Sequence, residues 1–227
     1  MSLVAATLDR TAVERIVREL VIERLGKQAR ARGKGQPSPL VVNASARHVH
    51  LSQPDFEKLF GAGANLTSMR ALYQEGQFAA EQTVTLVGPR RRLISNLRIL
   101  GPFRNLSQVE LAFTDAITLG IDDIPIRLSG DIHGTPGGYV MGPAGMLEMK
   151  EGIIRAAMHV HMSPADAEYY GVKNGDIMRL RVGGAAAMTF DKVLVRVDPK
   201  FRLEAHMDTD EANACGLHLT KEVALVK

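Results

Sequence analysis

The sequence is short of several things. Among its 227 residues there is no tryptophan, one cysteine (Cys215), and only 5% aromatic side chains. A single cysteine excludes an intramolecular disulfide, and a reducing, cytoplasmic compartment is the natural reading. No stretch approaches the roughly 20 consecutive apolar residues of a membrane span. The N-terminal apolar segment is interrupted by charge, so no secretory signal is read there. Charge of neither sign dominates. The formal net charge of +3 is too mild to imply nucleic acid, yet it is compatible with an anionic ligand. What remains is the composition of a soluble globular protein, long enough for one large domain or two small ones.

What the sequence does have is four of its seven histidines in two copies of one short stretch. The first reads Arg47-His48-Val49-His50-Leu51-Ser52-Gln53-Pro54-Asp55. The second, 111 residues later, reads Met158-His159-Val160-His161-Met162-Ser163-Pro164-Ala165-Asp166. Each holds His-Val-His, an apolar residue, Ser, two spacers and Asp, which points to a duplicated unit. On a strand the side chains at i and i+2 share a face, so each histidine pair projects together with its valine buried behind. Two convergent imidazoles suit a divalent metal such as zinc. One His-x-His alone is as easily an ordinary strand pair; its repetition favours ligands. Ser52 with Asp55, and Ser163 with Asp166, stand at the N-cap and N3 spacing of a capping box. Pro164 falls at the first helical position, and Gly61 and Gly171 close the two helices. Each copy therefore predicts a strand, a capped short helix and a glycine stop.

Residues 1–26 include an amphipathic helix over 11–25, opened by a Thr11/Glu14 capping box and striped by Val13, Ile16, Val17, Leu20, Val21 and Leu25. Residues 27–39 form a basic, Gly- and Pro-containing flexible linker. Such a helix either docks on its own domain or binds a partner. Beyond it, short β-rich runs alternate with Gly/Pro punctuation. The pattern predicts a mainly β fold with short helices, built as two related small β-barrels. The first would cover 40–130 and the second 131–227, with an approximate boundary and room for interleaving. Residues 129–138 make a loop too long for mere connection, expected to line a site or join the halves. Alternation over 107–111 sets Glu110 on the face of Gln108. His206 stands near carboxylates, with Asp208 or Asp210 as the N-cap of a last short helix. His133 reads as a solvated loop histidine, Arg90 to Arg92 as a solvated turn, and Cys215 as a small packed residue.

Four groups of residues then carry a resemblance: His48-Val49-His50-Leu51-Ser52; Gly101-Pro102-Phe103-Arg104 with Ser107-Gln108-Val109-Glu110; His159-Val160-His161-Met162-Ser163; and His206-Met207-Asp208-Thr209-Asp210-Glu211-Ala212-Asn213. In order and combination they resemble the PduL-type phosphate propanoyltransferase family, the phosphotransacylases of bacterial microcompartments. The resemblance runs from about residue 40 to the C-terminus. Ser107 stands where the family pattern has Thr, and Arg70 where it has Lys.

The resemblance implies two β-barrels capped by short helices, with two zinc ions between the halves. It implies conversion of a short-chain acyl-CoA, propanoyl or acetyl, plus phosphate to acyl phosphate plus coenzyme A. One zinc would use His48, His50 and Glu110, and the other His159, His161 and His206. Arg104 would hold phosphate, and Ser45, Arg70, Arg98, Leu100 and Asn213 would lie along coenzyme A. The N-terminal helix would be an encapsulation peptide that meets the shell of a microcompartment, and the chain could form a homo-oligomer; neither nucleic acid nor membrane enters. Three protein ligands per ion leave an open position, the pattern of a catalytic site. Phosphate attacks well only when oriented, and an arginine fork suits that task. Two other readings compete: a zinc-dependent hydrolase of a thioester or phosphoester, and a non-catalytic metal-binding module of the microcompartment. Phosphate-dependent thiol release separates the three.

Overall fold

The computed structural model describes residues 37–227. The amphipathic helix expected over 11–25 and the linker up to residue 36 lie outside the described residues. The chain runs β1 (Val41–Ser45), β2 (His48–His50), α1 (Gln53–Phe60), β3 (Ser68–Ala71), β4 (Phe78–Val87), β5 (Leu93–Gly101), β6 (Gln108–Glu110), α2 (Phe113–Leu119), β7 (Ile126–Arg127), β8 (Gly138–Met141), β9 (Met146–Met149), β10 (Ile153–Ala156), β11 (His159–Met162), α3 (Pro164–Tyr170), β12 (Ile177–Val182), β13 (Met188–Val197), β14 (Glu204–Asp208), α4 (Thr209–Ala214) and β15 (Val223–Val226). No helix among the described residues is long and apolar enough to cross a membrane.

The strands form two curled sheets. One has nine strands in the order β7-β10-β6-β2-β5-β4-β8-β9, with β3 paired to β4; the other has six, ordered β1-β14-β11-β13-β12-β15. Side-chain alternation explains how each covers a core. Along β12 every second residue, Met178, Leu180 and Val182, is buried, as the period of two demands. Val49, Phe56, Leu86, Ile99 and Val109 anchor the first core. Val160, Met162, Leu180, Val195 and Ala205 anchor the second.

The duplication is visible in the register. β2 lies between β5, parallel, with His48 beside Arg98, and β6, antiparallel, with His48 opposite Glu110. β11 lies between β13, parallel, with His159 beside Leu194, and β14, antiparallel, with His159 opposite His206. The strand that leads into each histidine unit is exchanged. β1 precedes β2 but pairs with β14, and β10 precedes β11 but pairs with β6. The sheets therefore do not divide after residue 130. β8, β9 and β10, with core residues Val140, Leu147, Met149 and Ile153, belong to the first sheet, and β1 belongs to the second. The two-residue connections at 46–47 and 157–158 carry the chain across just before the histidines.

Both units continue into helices, which differ at both ends. In α3 the capping box is closed: Ser163 Oγ accepts from the Asp166 N–H at 3.2 Å and Asp166 Oδ2 from the Ser163 N–H at 3.3 Å. In α1 the Ser52 N–H donates instead to Ser107 Oγ at 3.0 Å, and Ser107 Oγ donates to Asp55 Oδ2 at 2.7 Å. The reciprocal box expected at Ser52 is thus opened by Ser107, which bridges its two members. Gly171 closes α3 in the left-handed conformation, whereas Gly61 ends α1 at φ 103° and ψ 154°, a region essentially reserved for glycine. Asp208, not Asp210, caps α4, with Glu211 as its box partner.

Candidate metal centre

The ladder of β2 and β6 builds one cluster. His48 and His50 project from the same face, and Glu110 reaches them from the opposite strand. Their Nε2 atoms stand 3.4 and 3.9 Å from the two carboxylate oxygens. The other ring nitrogens are already tied: His48 Nδ1 to the Ala46 carbonyl at 2.8 Å and His50 Nδ1 to the Leu100 carbonyl at 3.2 Å. Such ties fix ring orientation and leave Nε2 free for a metal. Glu110 is held by Gln108 Nε2 at 2.7 Å and Ser129 Oγ at 2.8 Å.

The ladder of β11 and β14 builds the second cluster from His159, His161 and His206, whose ring centroids are mutually 4.9 Å apart. His159 Nδ1 is tied to the Ala157 carbonyl at 2.8 Å, repeating the His48 arrangement. Both nitrogens of His161 are buried without a hydrogen-bond partner, and Nε2 of His206 meets only the Glu204 carboxylate, 3.1 Å away. Orphaned buried polar atoms cost on the order of 1–3 kcal/mol each, and a divalent cation is the group that would satisfy convergent nitrogen lone pairs. In each cluster the ligand atoms, one per residue, lie within 4.8 Å of one another. Sets of two imidazoles plus a carboxylate, and of three imidazoles, both match zinc's ligand preference.

Protonation states agree with this. Burial holds His50 at about 3, helped by neighbouring His48 and Arg104. Burial and then His206 hold His159 at about 4, and burial with His206 and His159 holds His161 at about 2. Burial pushes the Glu110 carboxyl upward, but His48, His50, the Ser129 hydrogen bond and Arg104 outweigh it and hold it at about 2. At neutral pH these imidazoles are neutral and the carboxylate is ionised, as metal ligation requires.

Both clusters open on one cleft of about 590 Å³. Arg104 lines it, half-buried, its backbone N–H bonded to the Leu51 carbonyl and its Nη1 donating to Ser129 Oγ at 2.8 Å. The turn before it needs Gly101, because a Cβ there would sit 2.3 Å from the Phe78 ring. Ser45, Arg70, Arg98 and Leu100 line the same cleft; Asn213 does not, standing exposed on α4. Sequence reasoning did not single out four lining residues, although the first, Ser129, opens the loop expected to line a site. Ser129 braces both Arg104 and Glu110. Arg196 sits beside His161 in the β11–β13 register, and Phe201 stacks on His161 at 4.1 Å. Glu204 lies two residues before His206, the same-face spacing that marked the paired histidines. Cys215 is buried, as expected, with its thiol donating to the Ala212 carbonyl. His133 and Arg90 to Arg92 are exposed.

A family model for phosphate propanoyltransferase matches residues 41–218, which span both clusters and the cleft. The chain belongs to the phosphate propanoyltransferase family. Relatives carrying that name agree with the assignment over most of their length. The one from Planctopirus limnophila is 53% identical over 232 residues, covering 100% of this chain and 95% of the relative. The one from Thermotoga maritima is 50% identical over 189 residues, 83% of this chain and 89% of the relative. The one from Salmonella typhimurium is 49% identical over 179 residues, 78% and 84% respectively. Phosphate propanoyltransferases are acyltransferases, and this chain is an enzyme of that class.

Proposed function

We propose that this phosphate acyltransferase moves a short acyl group, propanoyl or acetyl, from its coenzyme A thioester to inorganic phosphate, with one zinc ion on His48, His50 and Glu110 and a second on His159, His161 and His206. The observation that carries the reading is convergence: two three-ligand clusters and Arg104 share one cleft. Each cluster leaves coordination open, as catalytic zinc does and structural zinc does not. Zinc, when bound, supplies a Lewis acid for developing negative charge on oxygen and a soft partner for a leaving thiolate.

The chain's own residues do the positioning. Arg104 presents a planar fork that matches phosphate oxygens. Ser129, bonded to both Arg104 and Glu110, fixes the phosphate holder relative to the first cluster. Holding phosphate against the thioester carbonyl can supply several kcal/mol of the barrier. A phosphate oxygen then forms the new C–O bond, the C–S bond breaks, and coenzyme A leaves as the thiolate. Arg70, Arg98, Leu100 and Ser45 line the wall along which coenzyme A would lie, while Asn213 would need the cofactor to extend beyond the cleft. No side-chain nucleophile is required, and Cys215 is packed away from the cleft.

The test supplies propanoyl-CoA or acetyl-CoA with and without phosphate, follows free thiol, and counts metal by mass spectrometry. Phosphate-dependent release with two zinc ions per chain is expected. Release without phosphate would mean a hydrolase, and no release a binding module. The family's setting leads us to propose, further, that residues 1–26 attach the enzyme to a microcompartment shell. Deleting residues 1–36 should leave turnover intact and abolish co-purification with shells; loss of folding would show that the segment docks on its own barrel.

A further inference from the structure

Glu204 is 1% exposed and stands beside the three-histidine cluster without belonging to it. The antiparallel registers show why it is there. In the first sheet His48 faces Glu110 and His50 faces Gln108. In the second His159 faces His206 and His161 faces Glu204. Each cluster is thus three corners of a square of four same-face residues, and the fourth corner is Gln108 in one sheet and Glu204 in the other.

Gln108 has a clear task at its corner: its amide donates to Glu110 and to Ser129, and its carbonyl accepts from the Gly130 N–H. It holds the third residue of its cluster. Glu204 faces the third residue of the other: its Oε2 is 3.1 Å from His206 Nε2. The Glu204 carboxylate is itself pinned by Gln74 Nε2 at 2.7 Å and Asn43 Nδ2 at 3.3 Å. Gln74 is buried and locked to the Arg202 backbone through both its amide atoms. Among the described residues no lysine or arginine pairs with Glu204; its one ion-pair contact is His206. A buried carboxylate with only neutral donors around it is costly, and it goes uncompensated unless positive charge arrives nearby. The charge distribution between the sheets makes the same point. The first cluster carries a carboxylate among its ligands, and the second is made of imidazoles alone.

We propose that Glu204 is the counter-charge and positioning residue of the second metal. It holds the His206 ring in place and faces the ion with the negative charge that Glu110 supplies directly in the first cluster. The inference rests on reading the three-histidine cluster as a metal site. The test is zinc titration against a competing chelator, using the full chain and its Glu204→Gln variant, with thermal unfolding alongside. Glu204→Gln is expected to keep the first zinc at unchanged affinity and to bind the second about 10- to 100-fold more weakly, the scale of outer-partner losses at metal sites. Glu204→Asp, which keeps the charge, should recover part of the loss. Two wild-type affinities in Glu204→Gln would overturn the proposal. So would equal weakening of both sites with a lowered unfolding temperature, which would make Glu204 a packing residue only. Should Glu204→Gln not fold, Asn43→Ala removes one donor to the carboxylate; a smaller loss confined to the second zinc is expected, and unchanged affinity overturns the role. Wild-type protein that binds no zinc dependent on His159 would instead remove the metal reading itself.

Discussion

In the first sheet, the residue opposite the leading histidine is a carboxylate, Glu110; in the second it is an imidazole, His206, at the same register. The backbone ladder is repeated, so geometry is common to both clusters and charge is not. The first sheet also carries what the second lacks. Arg104 and Ser129 stand beside its cluster, and Ser107 links the cap of α1 to the segment between Arg104 and Glu110. In the second sheet the equivalent cap closes on itself and spends its spare oxygen, Asp166 Oδ1, on the Ser38 N–H. A duplicated scaffold thus carries a cluster with a carboxylate in one half and a cluster of imidazoles alone in the other, with different corner residues and loops on the same strands.

Removing a ligand from either cluster tests that division most severely. His48→Ala and His159→Ala should each remove about one metal per chain and bring turnover close to background. Metal counting on both variants checks this, and two retained metals with full activity in either would end the equivalence of the clusters. Arg104→Ala comes next. It should keep both metals and still bind coenzyme A while losing on the order of 10²-fold or more in turnover, about 3 kcal/mol, the scale of one lost preorganised donor. Arg104→Lys should recover only part, because an ammonium lacks the fork. Steady-state kinetics with phosphate varied will decide; unchanged phosphate dependence in the alanine variant would leave phosphate to the metals alone.

Acid should separate the halves in metal-free protein. His50, His159 and His161 titrate in the folded state at about 3, 4 and 2, below the ordinary 6.5. The unfolded chain therefore takes up these protons first. Their contribution to stability is intact above about pH 6.5 and falls as pH drops toward the folded values, by roughly 1 kcal/mol per imidazole at pH 5.5. Two of the three lie in the second sheet, so its amides should lose exchange protection first on acidification. Simultaneous loss in both sheets would show that they unfold as one unit. The smallest effect concerns the caps. Ser163→Ala should cost about 1 kcal/mol in urea unfolding. Ser107→Ala should cost less, because the Ser52 N–H can then close its own box with Asp55. An equal cost would mean that the Ser107 bridge carries the α1 cap.

The paired histidines were legible because their signal is local: two residues apart on a strand, then repeated. Glu110 could be set on the right face by its alternation with Gln108, whereas Arg104 rested on the resemblance, since one arginine after a Gly-Pro turn has no pattern of its own. The exchange of β1 and β10 was not legible. β1 meets its partner strand 163 residues along the chain, Val41 beside Glu204, and hydrophobic alternation tells which face is buried, not which sheet receives the strand. The boundary set near residue 130 left room for interleaving without saying which strands interleave, and the loop over 129–138, expected to line a site or join the halves, supplies Ser129 to the cleft. Arg196 was hidden for a related reason: a strand of alternating residues shows two faces, and only tertiary packing shows which one meets the cleft. Glu204 carries the same two-residue spacing to His206 that exposed His48 and His50, and that signal could have found it.

The exchanged strands also decide how the sheets are joined. Both parallel ladders, Val41 to Glu204 and Ile153 to Val109, lie within a sheet rather than between sheets, so among the described residues the chain passes from one sheet to the other only at the two-residue connections 46–47 and 157–158. The sheets are thus stitched together at two points, and each stitch ends on the leading histidine of a cluster.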